Sequence, residues 1–278
     1  MKHGTMRTAG VHALVTGGSS GIGLAIAGEL VRLGSHVHIA ARRPDALARA
    51  CAELERARQN PAQQITAHAC DVSSPADVEA LFAALRAQQA EPGIVVNSAG
   101  VSRPGYFEQL AIEEFDRAIR VNYMGTVHVL KAAVPGMIAR GEGHVLNIAS
   151  VAGLIGVFGM APYCASKFAV RGLSETLRSE LKPHGIWVSL LCPPDTDTPM
   201  LAAEAPYKPR ETEALSKSAG VMKAAQVAQA AIRGLQRHQA VIVPGFEAKF
   251  TAMAQRLAPA LVERLTDRMI RSARRQPH

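Results

Sequence analysis

Val11 to Gly23 reads Val-His-Ala-Leu-Val-Thr-Gly-Gly-Ser-Ser-Gly-Ile-Gly, and this stretch decides the fold. His12–Thr16 is a short apolar run with the look of a buried strand. The glycines after it turn the chain sharply, and an apolar helical pattern opens at Gly21. The spacing is T-G-x-x-x-G-x-G rather than G-x-G-x-x-G, but the physics is shared. Gly17, Gly21 and Gly23 let the backbone turn tightly around Ile22 and let a pyrophosphate approach the unpaired amides of a helix N-terminus. Ser19 and Ser20 add hydroxyls for phosphate or ribose oxygens. Taken alone, the same glycines also suit a plain tight connection between strand and helix.

Outward from this turn, short strand-like runs alternate with longer helical patterns. The strands are expected at His12–Thr16, His36–Ala40, Ile65–Ala69, Ile94–Asn97, His144–Ala149, Trp187–Leu191 and Val241–Val243. Helices are expected around Gly21–Leu33, Pro44–Gln59, Pro75–Gln88, Ile112–Ile138, Tyr163–Lys182 and Ala224–Arg237. Such alternation means βαβ units with right-handed crossovers, hence an α/β, doubly wound, mostly parallel sheet flanked by helices on both faces. Ligands of such sheets bind beyond the carboxyl ends of the strands. Residues 1–278 then form a single domain, with a loop-rich substrate insertion at 193–221 and a basic helical tail at 248–278.

Several strand ends carry groups suited to a dinucleotide. Ala41-Arg42-Arg43 follows the second strand with no carboxylate for a ribose 2′-hydroxyl, while the planar fork of Arg42 suits a 2′-phosphate. Solvated loop arginines are the alternative. Asp71 and Val72 end the third strand, where Asp71 can accept from an adenine amino group or act in a helix-starting turn with Ser73 or Ser74 as the cap. Asn97-Ser98-Ala99-Gly100 closes the fourth strand with small residues that let a ribose lie close. Further on, Ser150 ends an apolar strand, and Tyr163 and Lys167 stand at i and i+4 on one helix face. A phenol titrates near ~10, and a cation held beside it pulls that value toward the operating range for acid-base work.

Composition excludes several other classes. The chain has 278 residues, 48% hydrophobic and 19% charged, an ordinary globular balance. No apolar run approaches the ~20 residues of a membrane span, and the start, MKHGTMRTAG, lacks the apolar core of a secretory signal. Cys51, Cys70, Cys164 and Cys192 form no C-x-x-C pair and read as free thiols in a reducing cytoplasm. The ten histidines are scattered along the chain, so no metal is expected. The net charge of +8 raises the question of nucleic acid. From Lys249 onward, however, seven basic residues face two acidic ones, so 7 − 2 = +5 of that charge lies in the tail. Aromatic content is only 4%, too low for base-stacking platforms.

The ordered set TGGSSGIG, NSAG, Asn122, Ser150 and Tyr163-x-x-x-Lys167 resembles the short-chain dehydrogenase/reductase family over roughly residues 11–200. The resemblance implies that Tyr163 donates the proton in carbonyl reduction. It also implies that Lys167 lowers the tyrosine pKa and binds the nicotinamide ribose, that Ser150 bonds the carbonyl oxygen, and that Asn122 holds a relay water. NADP(H) is the implied cofactor, held also by Gly17, Ser19, Ser20, Gly21, Ile22, Gly23, Arg42, Asp71, Val72, Asn97, Ala99, Gly100, Pro193 and Thr196. A homodimer or homotetramer around the helices bearing Asn122 and Tyr163 is implied as well.

A narrower likeness rests on Pro193-Pro194-Asp195-Thr196-Asp197-Thr198-Pro199, Lys208-Pro209, Glu211-Thr212 and the run Tyr163–Leu173. These are similar to the sphingoid-base ketoreductases of that family, implying a lipid-like ketone as substrate. A 3-oxoacyl thioester or another apolar ketone is the alternative. Three departures stand out: Ser98 replaces a common second asparagine, Ala46 replaces a lysine of the cofactor loop, and the hydrophobic anchors of the eukaryotic enzymes have no counterpart here.

In the tail, Phe250, Met253, Leu257, Leu261, Leu265 and Met269 recur at helical steps, with a break expected near Ala258 because of Pro259. This stripe suits packing on the body or a sister subunit. It also suits contact with an anionic membrane surface, with Arg264, Arg268 and Arg271 near headgroups.

Overall fold

The computed structural model describes residues 6–275, so the first residues of the chain and the last three of the basic tail lie outside the described residues. Seven parallel strands form one sheet: β1 (His12–Thr16), β2 (His36–Ala41), β3 (Ile65–Ala69), β4 (Ile94–Asn97), β5 (Gly143–Ile148), β6 (Ile186–Leu191) and β9 (Val241–Ile242). Their spatial order is β3-β2-β1-β4-β5-β6-β9. Chain direction across the sheet reverses between β1 and β4, which opens a crevice at their carboxyl ends. The register places Thr16 level with both Ala40 and Asn97, so three strand ends meet at the rim of that crevice.

Alternation within each strand feeds two cores. Ala13 and Val15 point to one face, where Ile26, Leu30 and Val31 of α1 (Gly21–Arg32), Leu47 of α2 (Pro44–Glu55) and Val227 and Leu235 of α9 (Ala224–Gln236) cover them. Leu14 points to the other face. There it meets Val78, Leu81 and Phe82 of α3 (Pro75–Ala87), Val129 and Met137 of α5 (Gly125–Arg140), and Leu181 of α6 (Ala161–Leu181). Strands sandwiched in this way read as continuous apolar runs, which is why the alternation of elements was visible in the sequence. Truncating the fully buried Phe82 to alanine is expected to cost about 3–5 kcal/mol.

The structure differs from the sequence expectation in three places. The helix expected over Ile112–Ile138 is divided into α4 (Ile112–Ala118) and α5 by a π-helical turn, Ile119–Met124. That wider turn inserts an extra residue and re-aims Asn122 into the protein. The segment expected to be loop-rich instead carries α7 (Pro199–Glu204), a 3₁₀ turn (Ala205–Tyr207) and α8 (Arg210–Ala219). It is closed by a small parallel pair of β7 (Thr196–Asp197) and β8 (Met222–Lys223). The histidines, scattered in sequence, gather across strands. His12 Nδ1 lies 2.8 Å from His38 Nε2, whose own Nδ1 is 2.7 Å from Thr66 Oγ1, and His36 stacks on His12. Parallel register, invisible in one dimension, brings them together.

The tail forms α10 (Phe246–Leu257) and α11 (Pro259–Arg275), which meet at Ala258. All four cysteines are unpaired thiols. Among the described residues no helix is long and apolar enough to cross a membrane, and no group of three or more candidate ligands is placed to hold a metal.

Candidate active site

Thr16 fastens the glycine turn to the end of β4, its Oγ1 accepting from the amides of Ser98 (3.2 Å) and Ala99 (3.3 Å). Gly17 has φ +65°, and a Cβ there would lie 2.7 Å from the Ala99 nitrogen. Only glycine fits that approach. A Cβ on Gly23 would lie 2.4 Å from the Gly17 carbonyl oxygen, so Gly23 permits the turn without lining the cleft. Ser20 starts α1 without a side-chain cap, whereas Ser74 at the start of α3 accepts from the Asp77 amide. The first-turn amides of α1 therefore keep their capacity for an anion.

Beyond the turn, one continuous cavity of about 540 Å³ runs along the strand ends. Gly17, Ser19, Ser20, Gly21, Ile22, Arg42, Asp71, Val72, Ala99 and Gly100 line it on the nucleotide side. Ser150, Tyr163, Lys167, Pro193 and Thr196 line it farther in. Asp71 acts in the helix-starting turn at the cavity edge: its Oδ1 accepts from the Ser73 amide and hydroxyl, and Ser74 is the cap that follows. The exposed Arg42 stands at the mouth. An elongated cleft with a glycine cradle, free helix-start amides and an arginine at its outer end fits a nicotinamide dinucleotide.

Asn97 and Asn122 lie outside the cavity lining. The Asn97 amide donates to Asn147 Oδ1 (2.9 Å), and Asn147 donates to Ser174 Oγ (2.9 Å), linking β4, β5 and α6 through the core. Asn122 clamps the β4 loop, its Oδ1 accepting from the Val101 amide (2.8 Å) and its Nδ2 donating to the Val101 carbonyl (2.9 Å). Nδ2 also reaches Ser166 Oγ at 2.8 Å, which ties that loop to α6. The side chain thus positions the wall on which Tyr163 stands, and Thr126 donates to its backbone carbonyl.

Lys167 is buried, donates to the Ile148 carbonyl at 2.7 Å, and lies 5.5 Å from the centre of the Tyr163 ring. Burial pulls its ammonium down to about 8. The expectation for Tyr163 is corrected in direction. Its phenol is pushed above the ordinary range, first by burial and then by the Glu204 carboxylate, against a hydrogen bond with Ser150. Desolvation and the neighbouring carboxylate together outweigh the serine. Ser150 itself opens a 3₁₀ turn (Val151–Gly153), accepts from the Ala152 amide and reaches the Pro193 carbonyl at 3.5 Å.

The remaining wall comes from the last third of the chain. Asp195, Glu204 and Lys208 line the cavity, as do Leu215 of α8, Thr251 of α10 and Val262 and Met269 of α11. Sequence reasoning noticed Asp195 and Lys208 as motif residues only, and missed Glu204 altogether. The available signal was the i,i+4 spacing of Glu204 and Lys208, whose side chains lie 3.6 Å apart.

The tail stripe divides. Met269 turns toward the cavity, while Phe250, Met253, Leu257, Leu261 and Leu265 stay exposed on the outside. Near its end α11 is latched to α8, with Arg274 Nε donating to Glu211 Oε1 at 2.9 Å and Tyr106 donating to the other oxygen.

The profile of the short chain dehydrogenase family matches residues 11–208. The chain belongs to this family. As a short-chain dehydrogenase/reductase it is an oxidoreductase, and its glycine cradle and Tyr163–Lys167 helix sit where a shared cleft requires them. The bovine (Bos taurus) protein "3-ketodihydrosphingosine reductase" is 39% identical over 225 residues, which cover 81% of this chain and 68% of that protein. Two solved structures share the architecture. One is a short-chain dehydrogenase from Sphingobium yanoikuyae in complex with NADPH, 30% identical with TM-score 0.75, covering 90% of this chain and 94% of that one. The other is a family member from Burkholderia phymatum in complex with NAD, 28% identical with TM-score 0.80, covering 92% and 96%.

Proposed function

We propose that the protein is an NADPH-dependent ketoreductase whose substrate is a 3-keto sphingoid base, 3-ketodihydrosphingosine, reduced to the secondary alcohol. The observation that carries this reading is the cavity itself. Ser150, Tyr163 and Lys167 meet in it, and its continuation is walled by Ile155, Val157, Met160, Leu215, Val262 and Met269, an apolar surface suited to a long alkyl chain. Identity of 39% to the bovine 3-ketodihydrosphingosine reductase supports the substrate class.

The cleft residues have separable duties in this reading. Gly17–Ile22 and the amides of α1 hold the pyrophosphate, Arg42 holds the 2′-phosphate, and Lys167 fixes the nicotinamide ribose. When bound, the reduced nicotinamide supplies the hydride. Ser150 donates to the carbonyl oxygen as negative charge develops there, and Tyr163 delivers the proton. Asn122 positions this group through Val101 and Ser166.

The exposed stripe of α10 and α11, flanked by Arg264, Arg268 and Arg271, suits contact with an anionic membrane surface from which such a substrate would enter. Full-length protein should then sediment with anionic vesicles at low salt and be released at high salt. Exposed Phe168 on α6 and Ile112 on α4 favour a homo-oligomer through these helices, measurable by light scattering.

The functional test is steady-state NADPH oxidation with 3-ketodihydrosphingosine, an acetoacetyl thioester and a steroid ketone. The reading predicts the highest kcat/KM for the first. A higher value for the thioester would instead assign the alternative, a 3-oxoacyl-thioester reductase.

A further inference from the structure

Three residues left without a duty by the chemistry above, two of them from the Pro193–Thr212 motif and the third Glu204, converge in the substrate cavity. Lys208 Nζ lies between two carboxylates, 3.5 Å from Asp195 Oδ2 and 3.6 Å from Glu204 Oε2. The Glu204 and Lys208 side chains are each only 9% exposed, and Asp195 is partly open to the cavity at 34%. Two acids therefore share one ammonium at distances longer than the 2.7–2.9 Å typical of a close charge-assisted bond. Withdrawing a carboxylate from water is costly unless its charge is matched, and here one charge is left over. Burial accordingly raises the Glu204 carboxyl above its ordinary range, with Ser102 and Lys208 opposing the shift.

The position of this excess charge matters more than its size. Glu204 and Asp195 line the same cavity as Ser150 and Tyr163, so the repulsion between the two carboxylates is felt in the space the ketone would occupy. A neutral ketone would leave that repulsion in place. A ketone bearing a cation next to its carbonyl would cancel it.

We propose that Glu204 and Asp195 form an ammonium subsite, selecting ketones that carry a protonated amine on the carbon adjoining the carbonyl. This deepens, and rests on, the reading of the cavity as the site of a long-chain ketoreductase. In 3-ketodihydrosphingosine the amine is on that neighbouring carbon, so an oxygen held by Ser150 and Tyr163 brings the nitrogen toward the carboxylates. Lys208 holds the two acids in place until substrate arrives, and the arriving ammonium completes their charge balance. One consequence is that the amine takes part in specificity and in tuning the proton donor at once. Neutral ketones of equal length gain neither effect.

The test compares kcat/KM, with NADPH, for a long-chain 2-amino-3-ketone and a chain-matched 3-ketone lacking the amine. The wild type is expected to favour the amino ketone. In Glu204→Gln the ratio of the two kcat/KM values should fall by about 10- to 100-fold, the loss of one charge-assisted bond. Asp195→Asn should lower the same ratio by a smaller factor, which keeps the test valid should Glu204→Gln fail to fold. Lys208→Met, by removing the competing ammonium, should raise it. Equal ratios in wild type and both acid variants would overturn the subsite. So would a wild type that reduces the neutral ketone at least as well, although that result would leave the ketoreductase reading intact. A wild type that reduces neither ketone would break the underlying reading itself, and the subsite with it.

Discussion

The nucleotide wall and the ketone wall of the same cavity are built in opposite ways. The first comes from consecutive strand ends, Thr16–Ile22, Arg42, Asp71 and Ala99, each at the close of its own βα unit. The second is assembled from Asp195, Glu204, Lys208, Leu215, Thr251, Val262 and Met269, which run from the loop after β6 to α11. Local geometry fixes the first wall. The second depends on long-range fastenings such as Arg274 to Glu211 and Thr212 to the Phe158 carbonyl. A scaffold that keeps its cofactor wall local can alter the other wall to change substrate without disturbing the chemistry.

The sharpest attack on this division is at the group shared by both walls. Tyr163→Phe removes only the proton donor and should reduce kcat by ~10²–10⁴-fold while NADPH still binds, as followed by cofactor fluorescence. More than about a tenth of the wild-type rate would remove Tyr163 from its assigned role.

Next in size is a change confined to the nucleotide wall. Ala41→Asp with Arg42→Leu deletes the contact to a 2′-phosphate and supplies a carboxylate for a 2′-hydroxyl. The NADPH-over-NADH preference in kcat/KM should drop by about 10- to 100-fold. A wild type with no preference for NADPH would contradict the reading of Arg42.

A third test probes the sheet beneath that wall. His38 is fully buried, and burial with neighbouring His12 lowers its pKa to about 3 in the fold, against 6.5 unfolded. Below pH 6.5 the unfolded chain binds a proton that the folded chain refuses, so stability falls with decreasing pH until about 3. The slope from one such group is about 1.4 kcal/mol per pH unit, which amounts to about 2 kcal/mol between pH 7 and pH 5. Urea unfolding at both pH values should show this loss in the wild type and a loss smaller by about that amount in His38→Gln. An identical pH dependence in both proteins would dismiss the histidine ladder as a stability determinant.

The same contrast explains what could be read from the sequence. The glycine turn and the Tyr163–Lys167 pair were legible because each places its groups through fewer than a dozen residues of strand or helix. The doubly wound sheet followed from buried strands that announce themselves as apolar runs. The π turn at Asn122 was not legible, since one inserted residue leaves the helical periodicity nearly unchanged. Nor was the direction of the Tyr163 shift. It depends first on burial that exists only in the assembled cavity, and then on Glu204, far away in sequence. In the tail, periodicity found a single stripe, but its positions from Phe250 to Leu265 are exposed on both sides of the break at Ala258, and only Met269, farther along the second helix, lines the cavity.

The central claim, that the two walls are separable and that the C-terminal helices belong to the ketone, is tested most directly by removing α10 and α11. In a chain ending at Gly245, the Kd for NADPH and the KM for 3-ketodihydrosphingosine are measured side by side with the full-length protein. The account predicts an NADPH Kd within about threefold of the original and a ketone KM raised by about tenfold or more, the loss of apolar contact to the alkyl chain. An unchanged ketone KM, or a loss of NADPH binding as large as the loss of ketone binding, would contradict it.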